Sequence, residues 1–118
     1  MGLFSKDIQT MDDLFVHTLR DIYYAENQIA KSLPAMVQKA SAPELKQAFQ
    51  AHLAETQNQI KRLEEVFRLH GQEAKGVDCE AIDGILDEAQ SIMGNVADQN
   101  VLDAAMLEHF GIARNRVF

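Results

Sequence analysis

A glutamate stands in the middle of an otherwise apolar helical row. The row is Leu19, Glu26, Leu33 and Ala40, and the row beside it is Phe15, Ile22, Ile29 and Met36. An ionised carboxylate in a dry core costs several kcal/mol unless a partner binds it. We expect a metal ion as the partner of Glu26, although a lysine, an arginine or the hydroxyl of Tyr23 or Tyr24 would also satisfy it.

A second set of candidate ligands follows at helical spacing. His52, Glu55 and Gln59 lie three and four residues apart, which places them on one side of a helix. With a turn centred between Ser41 and Ala42, Glu26 and Glu55 come within about 3 Å of the same height. Carboxylate and imidazole ligands suit iron or manganese. Each residue also has an interpretation without metal binding. Glu55 could be exposed to solvent, and His52 could donate a hydrogen bond on the helix face. Gln59 could contact the ligands rather than the metal itself.

A third candidate is the pair Glu108 and His109. Neighbouring residues diverge by about 100° on a helix, so only one of them can face the core squarely, and the spacing to Ala105 and Ile112 favours Glu108. Carboxylate-bridged bundles use Glu-x-x-His pairs. Neither glutamate has this partner, because Asn58 and Gly111 stand three positions after Glu55 and Glu108.

Four helices would position these residues, over about 10–40, 43–70, 79–96 and 101–117. Thr10 can cap the first helix, Pro34 should kink it, and Pro43 suits the first turn of the second. The short turn between them requires an antiparallel pair. No strand-like alternation occurs, so we expect one all-α domain over residues 1–118, an antiparallel bundle.

Composition narrows the function classes. The net charge of -7 disfavours a nucleic-acid partner. The single cysteine, Cys79, excludes an internal disulfide and fits a reducing compartment. No apolar run approaches the roughly 20 residues of a membrane span, and the first residues do not resemble a signal peptide. We therefore expect a cytoplasmic protein without a membrane partner.

Five segments carry a resemblance to a known family. They are 13–17 (DLFVH), 21–28 (DIYYAENQ), 51–57 (AHLAETQ), 60–65 (IKRLEE) and 108–110 (EHF). In this order they resemble the YciE/YciF family of bacterial ferritin-like proteins. The resemblance implies a ferritin-like bundle with a carboxylate-bridged dinuclear metal site and an association with stress, without an established activity. Glu26 and Glu55 match the inward glutamates of the family, and Glu108 matches its Glu-His-aromatic block.

The sequence departs from the family pattern near its end. Family members usually have about two more helical turns between the block that begins at Asp103 and the Glu-His pair, and many have Glu where Gly111 stands. They also continue into a further long helix. We therefore expect the closing helix to lie outside this sequence or to come from a partner chain.

Two functional hypotheses follow. In the first, Glu26, Glu55 and Glu108 hold iron or manganese that reacts with oxygen or peroxide, and a homodimer completes the site with four inward glutamates. His52, Gln59 and His109 are the secondary ligand candidates. In the second, the protein is a metal-free structural or interaction bundle that acts as a homodimer. The pattern leaves open whether the protein is an enzyme.

Overall fold

The computed structural model describes residues 8–107, and every regular element in this range is helical. α1 spans Met11–Lys39, α2 spans Pro43–Leu69 and α3 spans Glu80–Asn95. A fourth helix, α4, begins at residue 99 and continues to 107, where the described range ends. The all-α prediction is confirmed. None of these four helices has the length and apolarity needed to cross a membrane.

α1 begins with a reciprocal cap. The Thr10 hydroxyl accepts a hydrogen bond from the Asp13 backbone N–H at 3.0 Å, and the Asp13 carboxylate accepts one from the Thr10 N–H at 3.2 Å. The helix then continues through Pro34 to Lys39, so the proline does not end it. One long, rigid helix therefore carries Glu26 at its centre.

α4 starts earlier than the predicted residue 101 because Asp98 caps it. The Asp98 carboxylate accepts hydrogen bonds from the backbone N–H groups of Asn100 and Val101, at 2.9 and 3.1 Å. Such side-chain acceptors satisfy N–H groups that have no partner within the helix. The break between α3 and α4 therefore covers residues 96–98 rather than the predicted 97–100.

The main core lies around the turn between α1 and α2. The buried cluster contains Ala25, Ile29, Leu33, Met36, Ala40, Phe49, Ile82, Leu102 and Met106. All four helices contribute to it. At the opposite end, by contrast, Phe15 is 45% exposed and contacts the His70 ring edge-on at 5.2 Å. The expected apolar row through Phe15 is therefore buried only in its second half.

α3 and the loop before it are fastened to α1 at Tyr24. The Tyr24 hydroxyl lies 2.7 and 2.8 Å from the two carboxylate oxygens of Asp83, to which it donates. This hydrogen bond is the main reason that the pKa of Tyr24 is raised to about 12. Gly76, in the loop, packs directly against Tyr24: a Cβ atom at Gly76 would lie 2.8 Å from the Tyr24 Cβ and 3.1 Å from its Cα.

Gly76→Ala is therefore expected to destabilise the protein by about 1–3 kcal/mol, because the added methyl meets the backbone of a helix that cannot move aside. Gly84 provides the control, since a Cβ there meets nothing within 4 Å. Gly84→Ala should stabilise α3 by about 0.5–1 kcal/mol. Urea unfolding of both variants measures the difference, and equal effects of the two substitutions would contradict the close packing at Tyr24.

Asp103 on α4 caps the start of α2 from a distance. Its carboxylate accepts hydrogen bonds from the Ser41 hydroxyl at 2.7 Å and from the backbone N–H groups of Ser41 and Ala42, each at 3.0 Å. Ala42 offers no side-chain cap of its own. These bonds, the one from the Ser41 hydroxyl first, lower the pKa of Asp103 from 3.8 to about 2.

Asp103→Asn is expected to lower stability at neutral pH and to lose this effect in acid. A lowered folded-state pKa contributes stability above the unfolded value of 3.8, and this contribution disappears as the pH falls toward about 2. The difference in urea midpoint between wild type and variant should therefore be larger at pH 6 than at pH 2.5. Asp87→Asn on α3 controls for the loss of one exposed charge. A difference that does not change with pH would contradict the capping role.

Candidate metal centre

Glu26 is fully inside the α1–α2 interface. Its side chain is 1% exposed, as completely buried as the apolar residues of its row. Neither carboxylate oxygen has a hydrogen-bond partner among the described residues. Burial raises the pKa of Glu26 from 4.5 to about 7. A cation beside the carboxylate would oppose this effect and favour the ionised form.

Neither tyrosine serves as the partner of Glu26. The Tyr23 hydroxyl donates to the Glu64 carboxylate at 2.8 Å, whereas Tyr24 points to Asp83. The Tyr23 ring also packs edge-on against Phe67, at 5.5 Å between ring centres. Burial and the Glu64 carboxylate raise the pKa of Tyr23. The tyrosine alternative is therefore wrong, and no lysine or arginine of the described residues hydrogen-bonds to Glu26 either.

α2 presents polar side chains to the interface at the level of Glu26. Thr56 is 0% exposed and His52 is 6% exposed. The Thr56 hydroxyl and the Gln59 side-chain oxygen are both buried and have no hydrogen-bond partner in the part of the chain that the structure describes. Because Glu26 and Thr56 are equally distant along the chain from Ser41, the antiparallel helices bring them to the same height. A group of oxygen atoms without partners therefore occupies the middle of the α1–α2 pair.

Glu55 is at the predicted height but on the surface. It is exposed, because the neighbouring position Thr56 faces the core and successive side chains diverge by about 100°. Within one chain its carboxylate lies outside the α1–α2 interface. The prediction that Glu55 shares a metal ion with Glu26 stays a prediction.

Thr56 is the site residue that the sequence reasoning passed over. It lies seven residues after Phe49, which is 0% exposed, and so continues the buried row of α2. That heptad spacing was the available signal. Ligand chemistry favours the neighbouring Glu55 as the candidate, because carboxylates are stronger metal ligands than hydroxyls.

The remaining candidates are Glu108 and His109, which lie outside the described residues, as does Gly111. Within residues 8–107, no three His, Cys, Asp or Glu side chains come together as a metal site. The described residues thus offer one buried carboxylate, one buried imidazole and two neutral oxygens. This donor set fits a hard cation such as Mn²⁺ or Fe²⁺, and further ligands would have to complete it.

Three comparisons with known proteins agree with one another. A family model described as a domain of unknown function, DUF892, matches residues 10–117. The chain is 34% identical over 114 residues to Protein YciF of Escherichia coli K12, covering 91% of this chain and 69% of YciF. The same segments that carried the sequence resemblance therefore belong to a match that extends over most of the chain.

Two solved structures have the same fold. YcfI of Rhodopseudomonas palustris superimposes with a TM-score of 0.85 at 54% identity, over 90% of this chain and 68% of YcfI. The crystal structure of the E. coli stress protein YciF gives a TM-score of 0.84 at 32% identity, over 92% of this chain and 69% of YciF. In each case about a third of the relative's length has no counterpart in this chain.

Proposed function

Because the chain belongs to the DUF892 family, with YciF as a relative, we propose that it is a ferritin-like protein that binds iron or manganese at Glu26. One observation carries the proposal: the two carboxylate oxygens of Glu26 are buried in the core and have no hydrogen-bond partner within residues 8–107. A buried ionised carboxylate needs a compensating charge, and a divalent cation supplies it.

Several residues of this chain would hold the metal. Glu26 would bind the ion as an anion from α1, and His52 and Gln59 of α2 are the further candidates. Glu55, Glu108 and His109 are the further ligands that a dinuclear centre requires. When bound, iron or manganese supplies redox chemistry toward oxygen or peroxide. The carboxylate would meet the ion away from bulk water, because the Glu26 side chain is 1% exposed.

A homodimer is the arrangement that we propose for completing the site. Two α1–α2 pairs packed about a two-fold axis form a four-helix bundle with two copies of Glu26 and Glu55. An exposed Glu55 is then available to a second chain. Size-exclusion chromatography with light scattering should give twice the chain mass of 13.2 kDa. A stable, folded monomer would contradict the dimer.

Metal titration tests the binding function directly. Protein freed of metal with a chelator and then dialysed should bind Mn²⁺ saturably in calorimetry at pH 7.5, and Glu26→Leu should abolish this binding. Glu44→Gln is the matched control, because Glu44 is an exposed glutamate in the first turn of α2. Less than about a tenth of a metal ion per chain, in the wild type after reconstitution, would refute the proposal.

A metal-free structural bundle is the second candidate. It is favoured by the exposure of Glu55 and by the lack of a three-ligand group within residues 8–107. YcfI, the relative at 54% identity, is described as a candidate structural protein, and YciF as a stress protein. The same titration separates the two functions. A metal-free structural bundle should show no saturable Mn²⁺ binding in the wild type, and Glu26→Leu should then leave the result unchanged.

A further inference from the structure

We propose that Thr56 and Gln59 are positioning residues for Glu26. Neither the Thr56 hydroxyl nor the Glu26 carboxylate has a hydrogen-bond partner among the described residues. With the metal bound, the Thr56 hydroxyl would donate to the Glu26 carboxylate, and the Gln59 side-chain oxygen would accept from a water molecule on the ion. This inference rests on the proposed metal-binding function and assigns the α2 side of that same site.

The first argument is the cost of these groups in the core. Thr56 is completely excluded from solvent, and its hydroxyl has no partner among the described residues. A buried hydroxyl without a hydrogen bond costs about 1–3 kcal/mol, whereas valine would fill the same volume without a polar atom. The buried row of α2 that contains Thr56 also contains Phe49, so this row accepts apolar side chains.

The second argument is chemical complementarity. An ionised carboxylate only accepts hydrogen bonds, and a hydroxyl can donate one. Thr56 and Glu26 lie at the same height on facing helices. The hydroxyl could therefore provide the donor that the carboxylate needs, and the carboxylate the acceptor that the hydroxyl needs. The buried Gln59 oxygen is an acceptor, which an ionised Glu26 cannot satisfy. A water molecule bound to the metal ion is a donor that would match it.

The third argument is energetic. A carboxylate bonded to a metal must be held in one orientation, and groups that orient ligands typically change metal affinity by about 10–100-fold. The Glu26 side chain has several rotatable bonds, and no hydrogen bond from the described residues fixes its carboxylate. Thr56, on a rigid helix, is the group placed to do so.

The experiment compares three threonine variants by calorimetric titration of the metal-free protein with Mn²⁺ at pH 7.5. Thr56→Val, which keeps the shape and removes the hydroxyl, should weaken binding by about 10–100-fold. Thr56→Ser should restore binding toward the wild-type affinity. Thr18→Val is the matched control, because the exposed Thr18 hydroxyl only donates to the Leu14 carbonyl on the same helix, at 2.9 Å. Its Mn²⁺ affinity should not change.

Stability measurements separate positioning from folding. Metal-free Thr56→Val should be at least as stable as the wild type in thermal unfolding, because it removes an unsatisfied buried hydroxyl. If Thr56→Val does not fold, Gln59→Leu provides the second variant, and it should lose about tenfold in affinity.

The outcomes are distinct. Wild-type binding with an unchanged affinity in Thr56→Val, or in Gln59→Leu where that variant is used, overturns the positioning role and leaves the metal-binding function standing. Weakened binding that serine does not restore also overturns the role of the hydroxyl. No saturable binding by the wild type overturns both proposals.

Discussion

Replacing Glu26 with leucine is expected to stabilise the metal-free protein by about 1–3 kcal/mol at pH 8. Leucine occupies the next position of the same row, at Leu33, where it is 2% exposed, so this core accepts its shape. The substitution removes two buried oxygens that have no hydrogen-bond partner. A stabilising substitution of a core residue is unusual, since most core changes destabilise.

The effect should depend on pH in a defined direction. The pKa of Glu26 is raised from 4.5 in the unfolded chain to about 7 in the folded one. The folded state therefore binds more protons between these values, and stability falls as the pH rises through this window. Below about pH 4.5 the carboxyl is protonated in both states, so this source of destabilisation is absent there.

Glu26→Gln is the isosteric control for the titration. It should show a flatter dependence of stability on pH than the wild type between pH 4.5 and 7, because glutamine has no proton to lose. All other ionisable groups are the same in the two proteins, so the comparison isolates the carboxyl of Glu26. Urea unfolding at pH 5 and pH 8, in the presence of a chelator, gives the measurement. Parallel pH profiles of wild type and Glu26→Gln would show that the carboxylate is not desolvated.

Metal should reverse the order of stability. Mn²⁺ bound to the folded wild type raises its unfolding temperature by mass action, whereas Glu26→Leu should not respond. In chelator the wild type should unfold at a lower temperature than Glu26→Leu. As the metal concentration rises, the unfolding temperature of the wild type should increase while that of the variant stays constant. A metal-free structural bundle predicts the lower stability of the wild type in chelator but not its stabilisation by Mn²⁺.

The position of Glu26 could be predicted from the sequence because it depends on local periodicity alone. A seven-residue row specifies which residues share a helix face, and all four residues of the Leu19–Ala40 row are buried. The Thr10–Asp13 cap is similarly local, with its two partners only three residues apart. Such features require no knowledge of how the helices pack.

Features that depend on distant partners could not be predicted in this way. Asp103 caps α2 across 61 or 62 residues of chain, and Tyr24 meets Asp83 across 59. Both contacts follow from the packing of α3 and α4 on the long pair. The exposure of Glu55 has a related cause. The height of Glu55 along the helix pair follows from the position of the turn. The direction of its side chain depends on how α2 is rotated about its own axis.

The strongest destabilisation is expected at Phe49, where truncation to alanine should cost about 3–5 kcal/mol. Phe49 is 0% exposed and belongs to the cluster in which all four helices meet, with Leu33, Ile82 and Met106 among its members. Small domains have a total stability of about 5–15 kcal/mol, so this loss is a large fraction of the whole.

Phe67 provides the comparison, because it is also 0% exposed but lies outside that cluster. Phe67 lies two residues before the end of α2, where the ring of Tyr23 packs against it. A cavity there can be relieved by small movements of the helix ends, whereas Phe49 is enclosed by helices on several sides. We therefore expect Phe67→Ala to cost less than Phe49→Ala.

Thermal unfolding by circular dichroism ranks the two variants, and Phe49→Ala should lower the melting temperature by roughly 10–20 °C. Phe49→Leu, which keeps most of the volume, should lose less than about 1.5 kcal/mol and controls for the loss of the ring. A larger effect of Phe67→Ala would contradict this ranking and would place the energetic centre of the fold near the end of α2, away from the cluster around Phe49.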